Sequence, residues 1–351
     1  MQPHISASKS YYRWIDLLKA LSIFGVVYIH TSLGLFDSLS LLPITNYFRF
    51  CVPVFITVSF FLLERRFASD TNKLNISIER FISSRLSRLI IPYVFWTCVY
   101  IIINHKPNYP SIIKFITNHW IGFGFSGQYY FVVLIILTLV YPWLRQAKLS
   151  CSSLFMITIL AEFSYIPVTY FPMFCENQNC LEIPFLYLFY MFFGTFIGRN
   201  YEEIKTVLHS TKLHSLQVKA ILLFTSPILI SIEEELLGNW DSSGRKVYFR
   251  LSTLLVTCLV VMASIGLEDF LERSKSIKIC ISFLSSWSLG IFCLNPLLID
   301  ILYKLDLRIA TQELNYLLET LISFILSSLV VLISVLISFF ISYFGGKALV
   351  R

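Results

Sequence analysis

The chain has 351 residues, of which 56% are hydrophobic and 14% charged, with 32 Phe and 19 Tyr. Soluble domains carry about 25% charged residues, so this composition argues against a soluble fold and for a membrane protein. The formal charge of +7 comes without the interleaving of basic and aromatic residues that marks a nucleic-acid surface, and nucleic acid is set aside as a partner.

A helix needs about 20 apolar residues to cross the hydrocarbon core. By that measure the sequence predicts an all-α, polytopic fold of about ten transmembrane helices, near residues 14–36, 46–63, 86–104, 127–144, 151–172, 183–199, 217–237, 247–266, 278–302 and 317–344. The first run is too long for a signal-peptide core and no cleavage site follows it, so it reads as a retained span. The expected layout is a tail at 1–13, one transmembrane domain at 14–344 and a tail at 345–351. Ten spans put both termini on one side. Most of the 28 lysines and arginines fall on that side, which predicts cytoplasmic termini and an inner-membrane location.

The first span, WIDLLKALSIFGVVYIH, carries Asp16, Lys19 and His30. A charge at the bilayer centre costs roughly 2.5–3.5 kcal/mol on insertion scales. At 100° per residue the three side chains share a sector of about 60°, and the rise from Lys19 to His30 is about 16 Å. Asp16 and Lys19 then sit one turn apart at the cytoplasmic mouth, able to pair, while His30 lies deep. The stripe either anchors the helix ends or faces a polar cavity in the bundle.

Between the second and third spans runs ERRFASDTNKLNISIERFISSRLSRLIIPY. Arg85 and Arg88 share a face at the start of the third span. They suit either a topological anchor or a phosphate site, since guanidinium groups pair well with phosphate oxygens. Arg65, Arg66 and Arg80 read as surface charge. At the outer start of the fourth span, Gln128, Tyr129 and Tyr130 follow a Gly-rich stretch and are candidates for binding a substrate, although tyrosines there also form interfacial belts. Ser286, Trp287 and Ser288 could line a cavity or pack helices. The run Glu233–Glu235 reads as a solvated rim, and Glu162 has no assigned partner.

Cys51, Cys98, Cys151, Cys258, Cys280 and Cys293 lie singly in or beside apolar runs, as small hydrophobes do. Cys175 and Cys180 flank a polar ENQN and could be a disulfide or two thiols. His4, His105, His209 and His214 lie in tails or loops without metal-ligand spacing, so no metal is expected.

IDLLKALSIFGVVYIHTS resembles the opening motif of the acyltransferase 3 family of membrane O-acyltransferases, with Asp16, Lys19 and His30 on its Asp, basic and His positions. VPVFITVSFFLLERR, RFISSRLSRLIIPYVFW, YYFVVLIILTLVYPWL and SWSLGIFCLNPLLIDIL resemble later family motifs in the same order. The chain departs from the pattern in having Lys19 for Arg, Phe60 after Ser59 for Gly, Gly127 and Gln128 for a His, and Asn295 for a His.

The resemblance implies an acyltransferase 3-like bundle that moves an acetyl or other short acyl group from acyl-coenzyme A to a hydroxyl of a cell-surface or lipid-linked saccharide. It implies His30 as the catalytic base or acyl carrier and arginines 85 and 88 as the coenzyme A site. Asp16 and Lys19 belong to the cofactor channel and the local fold, and Ser59 and Asn295 join the substrate-binding candidates. A glycan or lipid-linked-intermediate transporter is the competing reading, and a catalytically silent subunit a third.

Overall fold

The computed structural model describes residues 12–36, 42–74, 78–104, 120, 124–145, 150, 152–153, 156–157, 160, 187–210, 215–237, 248, 250–305 and 315–351. Among the described residues the regular elements are all helices: α1 (Arg13–Leu35), α2 (Leu42–Tyr47), α3 (Cys51–Leu74), α4 (Ile78–Asn104), α5 (Tyr129–Arg145), α6 (Leu188–Arg199), α7 (Tyr201–Ser210), α8 (Leu216–Thr225), α9 (Ile228–Leu237), α10 (Leu251–Gly266), α11 (Glu268–Arg273), α12 (Lys275–Ser286), α13 (Ser288–Lys304), α14 (Tyr316–Tyr343) and α15 (Lys347–Val350). A single 3₁₀ turn, Phe48–Phe50, joins α2 to α3.

Five helical segments in this set are long and apolar enough to cross a membrane: Arg13–Leu35, Ile44–Phe67, Ile82–Ile103, Leu216–Glu233 and Tyr316–Tyr343. The pair α12 and α13 adds a sixth if taken as one span. Most of the expected fifth span, with Glu162, lies outside the described residues, as do Cys151, Cys175, Cys180, His4, His105 and His214.

Burial separates the inner helix from the outer one. The apolar window of α1 is 67% buried and that of α14 only 33%. On α14 Leu317, Leu321, Leu332, Leu336 and Phe340 are exposed, whereas Ser323, Ser327, Ser334 and Ser338 are buried. That is the pattern of a lipid-facing helix that packs through small residues. Ser323 Oγ meets Ser32 Oγ of α1 at 2.6 Å, and Asn315 caps the helix start by accepting from the Leu317 amide.

The expected span at 278–302 is broken. α12 and α13 meet at Trp287 with a 63° bend. The Trp287 ring is held between Arg351, whose guanidinium lies 4.3 Å from the ring centre, and Phe339 of α14. The break turns the first residues of α13, Ser288 and Leu289, onto a cavity.

Glu64 of α3 is 4% exposed and binds three helices together. It accepts from Tyr141 Oη of α5 and from Arg199 Nε at 3.4 Å, and Arg145 Nε is 3.6 Å away. Arg65 is more than surface charge: it donates to Tyr12 Oη at 2.8 Å and pairs with Glu202 at 3.3 Å.

Candidate functional site

Asp16 is only 7% exposed, and its carboxylate is fully engaged. Oδ1 accepts from Ser285 Oγ and Oδ2 from Ser282 Oγ, each at 2.7 Å, and Arg13 lies 3.7 Å from Oδ2. The acid therefore clamps α1 to α12. Lys19, one turn further on, lines a cavity of about 170 Å³ with Ser59, Arg85, Tyr130, Ser288 and Phe292. Arg85 Nη2 donates to Ser59 Oγ, so two residues singled out separately in the sequence meet. With Lys19, Arg85 and the amino end of α13 on its wall, this cavity suits an anionic ligand. Arg88 is exposed on the same helix as Arg85 and is not part of that wall.

His30 opens onto a second cavity of about 250 Å³, with Arg49, Ser126, Gly127, Tyr129, Tyr130, Tyr248 and Phe292 around it. Its Nδ1 is 2.7 Å from Asn295 Oδ1 of α13. The Asn295 amide donates through Nδ2 to the carbonyls of Ile291, at 3.0 Å, and Phe292, at 2.8 Å. Its oxygen is thus the end that faces the ring, which assigns the proton to Nδ1 and leaves Nε2 with a lone pair. Ser126 Oγ, 3.2 Å from Nε2, occupies the place of a hydroxyl about to lose its proton.

The turn before α5 sets that geometry. Gly127 has φ +89°, and a Cβ there would lie 3.1 Å from the Phe292 ring and 3.7 Å from His30 Cε1. Gln128 does not face the cavity: it is fully buried, its Oε1 accepts from the Gly124 amide at 2.6 Å, and its Nε2 donates to Thr97 Oγ1 at 2.7 Å. It fixes the turn to α4.

The two cavities share Tyr130 and Phe292 in their walls. The rings pack edge to face, 5.5 Å between centres. Lys19 and Arg85 lie on one side of this contact, and the imidazole and Arg49 on the other. Ser126, Arg49, Tyr248 and Phe292 are site residues that the sequence reading missed. A lone Arg at a helix start reads as an interfacial anchor, and a Ser in a Gly-rich loop reads as a turn. Among the described residues no group of three His, Cys, Asp or Glu side chains could hold a metal ion.

The helical membrane bundle thus holds a histidine whose tautomer is set by Asn295 close to a largely apolar cavity that carries Lys19 and Arg85. The acyltransferase 3 family model, described as an acyltransferase domain, matches residues 12–343, and the chain belongs to that family. No curated protein and no solved structure matches the chain. The protein is a membrane acyltransferase, acting between an acyl donor and an acceptor.

Proposed function

We propose that the protein is an inner-membrane O-acyltransferase with cytoplasmic termini, moving a short acyl group, acetyl in the first instance, from acyl-coenzyme A to a hydroxyl of a cell-surface or lipid-linked saccharide. The reading rests above all on two cavities, one cationic and one built on His30, meeting at a shared aromatic wall.

In this reading Arg85 and Lys19 hold the donor's phosphates, with Arg88 outside the cavity, and Ser59 keeps the Arg85 fork in place. The extended pantetheine arm and the Lys19-to-His30 rise are both of order 15–20 Å. The acceptor hydroxyl takes the place beside Nε2 now held by Ser126 Oγ. Nε2 accepts its proton while the oxygen attacks the thioester carbonyl. The carbon–sulfur bond then breaks, and the leaving thiolate takes the proton back from the imidazolium. Asn295 keeps Nδ1 protonated throughout and stabilises the transient positive charge. A covalent route serves the same geometry: Nε2 attacks the thioester and the thiolate leaves, then the saccharide oxygen attacks the acyl-imidazolium, its proton passing to the thiolate as the acyl–nitrogen bond breaks and neutral imidazole is restored. Tyr129 and Tyr130 offer ring faces and hydroxyls to the acceptor. Asp16 acts through the fold, by fixing α1.

The test is transfer of radiolabel from acetyl-coenzyme A to glycan extracts in membranes, comparing wild type with His30→Ala and Arg85→Ala. Label lost in both variants supports the enzyme. Unchanged label with altered glycan export favours a transporter and overturns it.

A further inference from the structure

Arg49 plays no part in the scheme above, yet it lies in the same cavity as His30. It sits in the 3₁₀ turn Phe48–Phe50 and is 6% exposed. Gly25 makes that position possible, because a Cβ there would run into Phe48 and Cys51 and push the turn away from α1. A guanidinium has five donor hydrogens. Here Nη1 reaches Tyr248 Oη at 3.3 Å, the Tyr248 ring centre is 5.6 Å from Cζ, and Nε is buried with no hydrogen-bond partner. No Asp or Glu lines the cavity among the described residues. Buried charges are ordinarily paired, since taking a lone charge out of water is costly. This one lines the cavity with one donor, Nε, left without a partner. The donor's phosphates do not account for it, because Lys19 and Arg85 lie beyond the Tyr130–Phe292 wall.

The geometry points to an anion subsite at Arg49: the acceptor carries a carboxylate or a phosphate close to the hydroxyl that is acylated, and Arg49 receives it. This rests on the acyl-transfer reading for the identity of the occupant as an acceptor. Ser126, Tyr129 and Tyr248 then provide hydroxyls for the neighbouring sugar oxygens. The class of substrate is an acidic saccharide, its charge coming either from a uronic-type carboxylate or from a phosphate linkage.

Binding, rather than turnover, tests it. Full-length protein in nanodiscs of zwitterionic lipid is titrated with radiolabelled glucuronate, glucose 1-phosphate and glucose, for wild type, Arg49→Met, Arg49→Gln and His30→Ala. A hydrogen-bonded charge of this kind gives about a 10- to 100-fold preference for an anionic probe over glucose. The carboxylate and phosphate arms show which source of charge the site takes. The preference is lost in either Arg49 variant that retains the wild-type melting temperature, and it survives in His30→Ala. Equal binding of all three probes, no binding of either anion, or a preference that persists without Arg49 overturns the subsite. A charge preference in a protein that transfers no label leaves the subsite standing and removes the acyltransfer reading instead.

Discussion

His30 Nδ1 lies 2.7 Å from Asn295 Oδ1, a contact between side chains 265 positions apart that fixes which ring nitrogen carries the proton. The Asn295 amide cannot turn over without giving up its two bonds to the α13 backbone. Replacing His30 by Ala is expected to lower transfer by about 10²- to 10⁴-fold, the range for loss of a positioned base. Asn295→Leu should cost about 10²-fold in kcat by freeing the ring to adopt the wrong tautomer. The donor KM should hardly change, and steady-state kinetics in nanodiscs reads both quantities.

Arg85 and Arg88 share a helix face but not an environment. Arg85 points into the cationic cavity against Ser59, whereas Arg88 is exposed. Loss of a charge-assisted contact costs about 1.5–3 kcal/mol, so Arg85→Ala should raise the donor KM by about 10- to 100-fold. Arg88→Ala should change it by less than about 3-fold, as exposed charges do. Equal effects of the two variants would mean that the donor does not enter the cavity.

Asp16 should behave as a stability residue. Asp16→Ala leaves Ser282 and Ser285 of α12 without their acceptor and breaks the pairing with Arg13. A loss of about 1–3 kcal/mol follows from stranding buried polar groups, seen as a lower melting temperature in detergent. The donor KM of the surviving folded fraction stays near wild type. A donor KM that rises without thermal destabilisation would assign Asp16 to binding instead.

Gly127 should resist any side chain. At φ +89° an L-residue pays about 1–2 kcal/mol, and the new Cβ also crowds the Phe292 ring at 3.1 Å. Gly127→Val is expected to fold and to lose more than about 10-fold in kcat, because the displaced ring disturbs both cavities. Transfer rates and melting temperature, measured on one preparation, separate the two effects.

Much of the site could be read along the sequence because helical periodicity carries it. Asp16, Lys19 and His30 fall on one stripe by arithmetic alone. The structure then divides the stripe: Asp16 is taken up by α12, Lys19 faces the cationic cavity and His30 faces the second one. The serine ridge of α14 and its Asn315 cap follow equally local rules. The break at Trp287 does not, since residues 278–302 read as one continuous apolar run and the ring at the bend packs against Arg351 and Phe339 from the far end of the chain. Arg49 and Ser126 were missed for the same reason. Their meaning comes from what lies across the cavity, and nothing in their own segments records it.

The Tyr130–Phe292 contact has a bearing on the cell as well as on the reaction. A continuous aqueous passage through the bundle would let protons run down their gradient whenever substrate was scarce. In this structure the edge-to-face Tyr130–Phe292 pair stands between the two cavities. If the proposed thioester donor reaches His30 by this route, it must part the two rings, and a leak current is the phenotype to look for when either ring is cut back to alanine.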